Sequence, residues 1–266
     1  MSDWWWVYLA LGAFVGFFGG LLGIGGGAAM VPVLAIIYAA KGFAPEWIVH
    51  LALGTSIATM IFTSASSVLS HHRRGAVHWT AWRGMLPGVV AGTLAGALLA
   101  GQLDPRLLAV AFTILIYALA TQMFFDTRLA PTGSLPGMAA LSAGGGAIGF
   151  ISSLSATGGA ALTVPFLVKR SLTIHQGIGT ASAVGWPLAF AGAIGYAITG
   201  WGRAGLPEWS AGFVYLPALA WIAIASVALA PVGARIAHRT PGRTLKRVFA
   251  IVLYGLATNM LVSTFR

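Results

Sequence analysis

Long apolar runs separated by short polar connections divide this chain into eight segments: residues 4–38, 46–70, 84–101, 106–125, 137–168, 174–199, 211–235 and 243–264. Six are close to the roughly 20 residues that carry a helix across a bilayer. The first and fifth are over 30 residues long and are interrupted midway by small residues, Gly23–Gly27 in one and Ser152–Gly159 in the other. Each reads either as one long kinked span or as a hairpin of two half-helices that enters and leaves by the same face.

The second four segments repeat the first four. Gly16-Phe17, Gly25-Gly26 and Val31-Pro32 match Gly149-Phe150, Gly158-Gly159 and Val164-Pro165 at a single offset. His50, Gly54 and Thr55 then match His175, Gly179 and Thr180, and Leu86-Pro87 matches Leu216-Pro217. Arg106, Phe112, Tyr117 and Met123 match Arg243, Phe249, Tyr254 and Met260. A collinear series of this kind signals duplication. The expected fold is therefore an all-α polytopic membrane protein, one membrane domain over residues 1–266. Its two homologous halves cover about residues 4–126 and 136–264, each a broken or re-entrant first helix followed by three transmembrane helices.

Composition supports the bilayer as solvent: 58% of residues are hydrophobic and 8% are charged, against about 25% charged in soluble domains. The net charge of +10 sits in short loops, as cytoplasmic loops require, so no nucleic-acid partner is expected. Charge also separates the two topologies. With single kinked spans the better orientation places nine Lys and Arg inside and six outside. With two re-entrant segments, only Lys41, Arg106, Arg203 and Arg266 of the 15 face outward. Inverted repeats thus obey the positive-inside rule better and suit a secondary transporter. The start, Met1 to Trp6, has no basic region, so the first segment is expected to stay in the mature protein with its three tryptophans as an interfacial anchor. The expected location is the cell inner membrane. The absence of cysteine excludes thiol catalysis and thiolate metal sites.

Candidate chemistry lies at the two breaks. A half-helix starting near Ala28 or Ala160 has unpaired N–H groups and a positive dipole end, and glycine lets an anion approach that backbone. Gly25, Gly26 and Gly27, with Ser155, Thr157, Gly158 and Gly159, are the expected backbone and hydroxyl donors. Small residues also serve close helix packing, but breaks at corresponding places in two halves favour a binding site. Thr55 stands about 13 Å along its helix, near the midplane. It is joined by Ser56, Thr180 and Ser182 as hydroxyls for the bound anion. His50 and His175, one turn in, are candidates for proton coupling, or else interfacial histidines bonded to loop carbonyls. No Asp, Glu, Lys or Arg falls mid-span, so neither a metal nor a cofactor is expected and a sodium site has no carboxylates. The G-x-G-x-x-A pattern at Gly23, Gly25 and Ala28 lacks the strand a dinucleotide site needs and is set aside.

The run Gly-Gly-Leu-Leu-Gly-Ile-Gly-Gly-Gly from Gly19, with Pro32 after it, resembles the opening motif of the TauE/SafE family of membrane transporters. His50 with Gly54-Thr55-Ser56 resembles the second motif, and residues 149–180 resemble the duplicated copy. The resemblance implies export of sulfite, a sulfonate such as sulfoacetate, or a related sulfur-containing anion. The second copy carries Ala156 for Gly23 and Ala160 for Gly27, so the half-sites are not equivalent. The rival readings are an intramembrane serine-type hydrolase using Ser155 and His175, which lacks a G-x-S-x-G elbow, and a noncatalytic membrane scaffold.

The charge split predicts that both ends of the span series face away from the cytoplasm. A C-terminal alkaline phosphatase fusion should be active and a C-terminal fluorescent-protein fusion dark. The reverse pattern would exclude the inverted arrangement.

Overall fold

The chain is described by a computed structural model over residues 4–22, 26–125, 133–237 and 242–265. Among these residues it forms ten helices and a two-stranded ribbon. The first segment is two helices, α1 (Trp5–Leu22) and α2 (Gly27–Ala40), and so is the fifth, α6 (Met138–Ser155) and α7 (Ala160–Val168). Between and after them stand α3 (Pro45–Arg73), α4 (Trp79–Ala100), α5 (Pro105–Phe125), α8 (Ile174–Gly200), α9 (Leu216–Ala237) and α10 (Gly242–Phe265). Six are long and apolar enough to cross a membrane: α3, α4, α5, α6, α8 and the Arg247–Phe265 stretch of α10. The protein is a polytopic membrane protein.

Local sequence sets the ends of these elements. Pro45 opens α3 at a position where its missing N–H costs nothing. Thr173 and Gln176 cap α8 reciprocally in a capping box. The third segment, expected from Gly84, begins earlier because the His78 ring accepts from the Ala81 N–H at 3.2 Å and caps α4. The seventh, expected from Ala211, begins later, at Leu216. Residues 210–215 instead form an antiparallel ribbon, β1 (Ser210–Ala211) on β2 (Val214–Tyr215).

Packing is governed by small residues. Helix α4 runs parallel to α6, with the Gly88 Cα pressed on the Ser142 carbonyl, Gly92 on that of Gly146, and Gly96 on the Ser153 hydroxyl. From the other side, a Cβ on Gly145 would come within 2.6 Å of the Met85 carbonyl oxygen, and one on Gly149 within 2.6 Å of Val89's. Helix α1 meets α9 in the same manner through Gly12 and Gly16, against Ile222 and Ser226. Such small-xxx-small faces let backbones approach where no hydrophobic effect drives association.

Helices α3 and α8 cross the centre in opposite directions, Gly54 lying near Tyr196, Gly192 near Ile57, and Ser67 bonded to Ser182. Helices α5 and α10 are also antiparallel: Tyr117 bonds Thr258, Thr121 bonds Tyr254, and the Arg247 guanidinium donates to the Phe124 carbonyl. One end of the bundle gathers Lys41, Glu46, Asp104, Arg106, Arg203 and Glu208. There Lys41, just past α2, lies 5.6 Å over the ring of Tyr8 near the start of α1, and the Trp47 indole donates to the Ala204 carbonyl. The other end carries Arg73, Arg74, Arg83, Lys169, Arg170 and Arg247, and there Ser171, just past α7, donates to the Gly133 carbonyl ahead of α6.

Gly88→Ala is expected to lower stability by about 1–3 kcal/mol, because the added methyl has no room beside α6. Gly255→Ala, where nothing stands within 4 Å, should instead gain up to about 1 kcal/mol of helix propensity. Equilibrium unfolding of the two variants in detergent checks the ordering. Equal stability would show that the α4–α6 contact is not tight.

Candidate functional site: the meeting of two helix breaks

Both breaks end in left-handed backbone. Gly26 (φ 35°) caps α2 and Gly159 (φ 74°) caps α7, neither helix having a side-chain cap. Ala156 also takes the left-handed region at φ 48°, which costs a residue with a Cβ about 1–2 kcal/mol. The uncapped first turns leave backbone N–H groups of Gly27, Ala28, Ala160 and Ala161 directed out of each helix end. The two breaks touch. A Cβ on Gly27 would collide with the Ala156 carbonyl oxygen and lie 2.9 Å from the Met60 sulfur. Gly158 packs on α8, its carbonyl oxygen 3.1 Å from where a Cβ of Gly185 would sit, with Ser64 close by.

Hydroxyls crowd this meeting point, and the second half supplies most of them. Ser152, Ser153, Ser155 and Thr157 are all buried. Ser155 donates to the Ile151 carbonyl at 3.0 Å and its oxygen lies 3.1 Å from that of Thr157. The Ser152 and Ser56 hydroxyls are fully buried with no protein partner. Ser152 stands beside Gly159, its oxygen 3.7 Å from a Cβ built there. In a medium without water such orphans are costly, and a ligand is one way to satisfy them. Gly26 and Gly27 are buried at the meeting point, while Gly25 lies outside the described residues.

Thr55 and Thr180 have a defined second role. The Tyr215 N–H donates to the Thr55 hydroxyl oxygen at 3.0 Å, and the Tyr38 hydroxyl donates to it at 3.2 Å. The His78 N–H donates to the Thr180 oxygen at 2.9 Å. Each threonine sits after a glycine that admits the same incoming strand, since a Cβ on Gly54 would strike the Phe213 carbonyl and one on Gly179 that of Ala76. Segments 76–78 and 213–215 therefore dip into the bundle on matching sockets. Each threonine keeps its own hydroxyl hydrogen to donate. Ser182 donates to the Ile178 carbonyl and accepts from Ser67.

The paired histidines are placed differently. His50 is 1% exposed, wedged against Trp47 and Phe213, with Nε2 3.2 Å from the Leu103 carbonyl and Nδ1 without a partner. His175 is exposed in the first turn of α8 at the opposite end, far along the helix from the hydroxyl cluster, and Ser155 has no base beside it. Among the described residues no group of His, Asp and Glu is arranged to hold a metal ion. Ser152, Met60 and Ser64 were not singled out from sequence. Ser152 opens the Ser152-Ser153-Leu154-Ser155 run and so was visible, whereas Met60 and Ser64 enter only through the crossing of α3 with the breaks.

Thr55→Val strands the buried Tyr215 N–H and should cost about 1–3 kcal/mol, and Thr180→Val strands the part-buried His78 N–H and should cost less. Thr55→Ser, which keeps the acceptor, should retain most of the stability. Thermal unfolding in detergent checks this, and wild-type stability in both valine variants would show that the sockets do not depend on the hydroxyls.

The family described as "Sulfite exporter TauE/SafE" matches residues 8–260. A "Probable membrane transporter protein" of Haemophilus influenzae is 35% identical over 254 residues, covering 95% of this chain and 96% of the relative. "Probable membrane transporter protein YdhB" of Bacillus subtilis is 26% identical, covering 90% and 91%. "Probable membrane transporter protein MJ0441" of Methanocaldococcus jannaschii is 24% identical, covering 96% and 94%. No solved structure matches. A family of transporters sets the hydrolase reading aside. With its glycine-rich first break, its second motif at His50 to Ser56 and a match over almost its whole length, this chain belongs to the TauE/SafE family of membrane transporters and is not an enzyme.

Proposed function

We propose that this transporter exports a small sulfur-containing anion, sulfite or an organosulfonate such as sulfoacetate, across the cell inner membrane. The anion is held at the midplane by the N–H groups at the starts of α2 and α7 and by the hydroxyls around them. The observation that carries the reading is the contact of the two breaks at Gly27 and Ala156. It sets the positive start of α2 against the carbonyl that closes α6, three residues before the Gly159 cap of α7, and Ser152 beside Gly159 is a buried hydroxyl without a protein partner. Binding then falls to Gly25, Gly26, Gly27, Ser155, Thr157, Gly158 and Gly159, with Ser152 added, and Thr55, Ser56, Thr180 and Ser182 flank them.

Two inverted halves, residues 4–126 and 136–264, are the architecture this reading uses. It is supported by the opposed directions of α3 and α8 and of α5 and α10, and by the exchanged pairings of α1 with α9 and α4 with α6. The closeness of Lys41 to Tyr8 and of Ser171 to Gly133 supports a re-entrant hairpin at the start of each half. The concentration of Arg and Lys beyond α3 and α7 supports placing that end in the cytoplasm. Alternating access follows if one half rocks on the other about the midplane.

A site of dipoles and hydroxyls offers less against desolvation than an arginine clamp does, so a monoanion should be preferred to a dianion. In proteoliposomes, hydrogensulfite or a singly charged sulfonate such as methanesulfonate should move with at least about ten-fold higher kcat/KM than sulfate, a difference of about 1.4 kcal/mol. Ser152→Ala should raise KM about three- to ten-fold, the worth of one hydrogen bond. Equal flux of sulfate, or none of any sulfur anion tried, overturns the proposal. His50 and His175 remain proposed proton carriers, and a double glutamine variant with an unchanged pH profile removes them.

A further inference from the structure

A cation and three phenols converge at the end of the bundle away from the Arg-rich loops, and no function has been given to them above. The Lys41 ammonium lies 3.2 Å from the Tyr215 hydroxyl and stands over the rings of Tyr8, Phe43 and Tyr215 at 5.6, 5.3 and 5.1 Å. The rings also contact one another: Tyr38 meets Tyr215 edge to face at 5.8 Å, and Tyr8 lies 6.4 Å from Tyr215. The Tyr8 hydroxyl is buried with no partner, although its ring is next to a fixed positive charge. Lys41 follows α2, the half-helix whose other end is the first break. Inward from Lys41, the residue it contacts is itself tied to the core: the Tyr215 backbone N–H donates to the Thr55 hydroxyl, which also accepts from Tyr38.

We propose that Lys41, Tyr8 and Tyr215 form a second anion subsite, a way station for a small sulfur oxyanion between the central breaks and the non-cytoplasmic face. This rests on the anion-transport reading above. The chemistry fits one class of ligand: an ammonium and phenolic O–H groups donate and none of them demands a cation, while the aromatic walls exclude bulk water and favour a weakly hydrated monoanion. The central site has dipoles but no formal charge, so a charge placed beyond it draws the anion outward. The two halves differ here. Lys169 follows α7 as Lys41 follows α2, but it is exposed, and the position matching Tyr215 in the Thr180 socket is His78, whose ring caps α4. The subsite therefore belongs to one face only, which gives the transporter a polarity that a symmetric pair of breaks lacks.

Lysine labelling reads this site without requiring transport. The chain has three lysines, Lys41, Lys169 and Lys246. The purified full-length protein is treated with trinitrobenzenesulfonate, an amine reagent, and modification of each lysine is followed by peptide mass spectrometry. Methanesulfonate should protect Lys41 saturably, by about five-fold or more at constant ionic strength, and leave Lys169 unprotected. Tyr215→Phe, which removes one ligand, should weaken that protection. Protection no greater than that given by chloride, or equal protection of Lys169, overturns the subsite. In oriented proteoliposomes that transport, Lys41→Gln should raise KM roughly ten-fold from the Lys41 face and not from the other, with Lys41→Arg restoring it. An unchanged KM from the Lys41 face, with flux intact, removes the subsite and leaves the central site standing. Protection of Lys41 without flux of any anion would instead strike at the central reading alone.

Discussion

A lipid interior has no hydrogen bonds to give, so a membrane helix can be broken only where protein supplies the partners for its freed backbone. Every unusual feature of this fold answers that constraint. Where they are described, the two breaks are buried and abut each other, Gly27 against Ala156, beside α3 and α8. The non-helical segments at 76–78 and 213–215 enter the bundle because Thr180 and Thr55 accept their N–H groups. The glycine before each threonine clears the space for the incoming carbonyl. Helix starts satisfied by no side chain also present donors and a partial positive charge to whatever occupies the centre, which is the feature the proposed anion site would use.

The matching motifs along the chain do not carry one chemistry. The first break is glycine with Leu22 and Ile24, whereas the second carries Ser152, Ser153, Ser155 and Thr157. Ala156 bears backbone strain at a position where the first half has Gly23. The second break thus carries side-chain hydroxyls where the first is mostly bare backbone. Asymmetry extends to the ends, where His50 is buried among aromatic rings and His175 is exposed. A transporter with a preferred direction needs its two faces to differ, and here they do so in rings, cations and hydroxyls.

Packing completes the picture. Tight glycine contacts of α4 with α6 and of α1 with α9 fasten α6 and α1, the helices before the two breaks, to a helix from the other part of the chain. The first helix of each half is therefore held by the opposite half. Movement of one part against the other would be felt directly at the breaks.

Much of this was legible in the sequence, and the reason is physical. Spans must be apolar for about 20 residues, breaks need small residues, and a duplication keeps its prolines and glycines in order. The membrane class, the segment count, the two breaks and the family were all readable from Gly19–Gly27, Pro32, His50 and Thr55 with their counterparts. What the sequence could not determine was which groups meet. Glycine at 54 and 179 reads the same whether it packs a helix or admits a strand, and only the crossing of α3 with α8 brings Phe213 and Ala76 to those positions. A threonine hydroxyl reads as a ligand for substrate until Tyr215 or His78, over a hundred residues away, is seen to claim its oxygen. Local pattern is fixed by the solvent each residue must face, whereas partnership depends on distances between remote parts of the chain, and these exist only once it has folded.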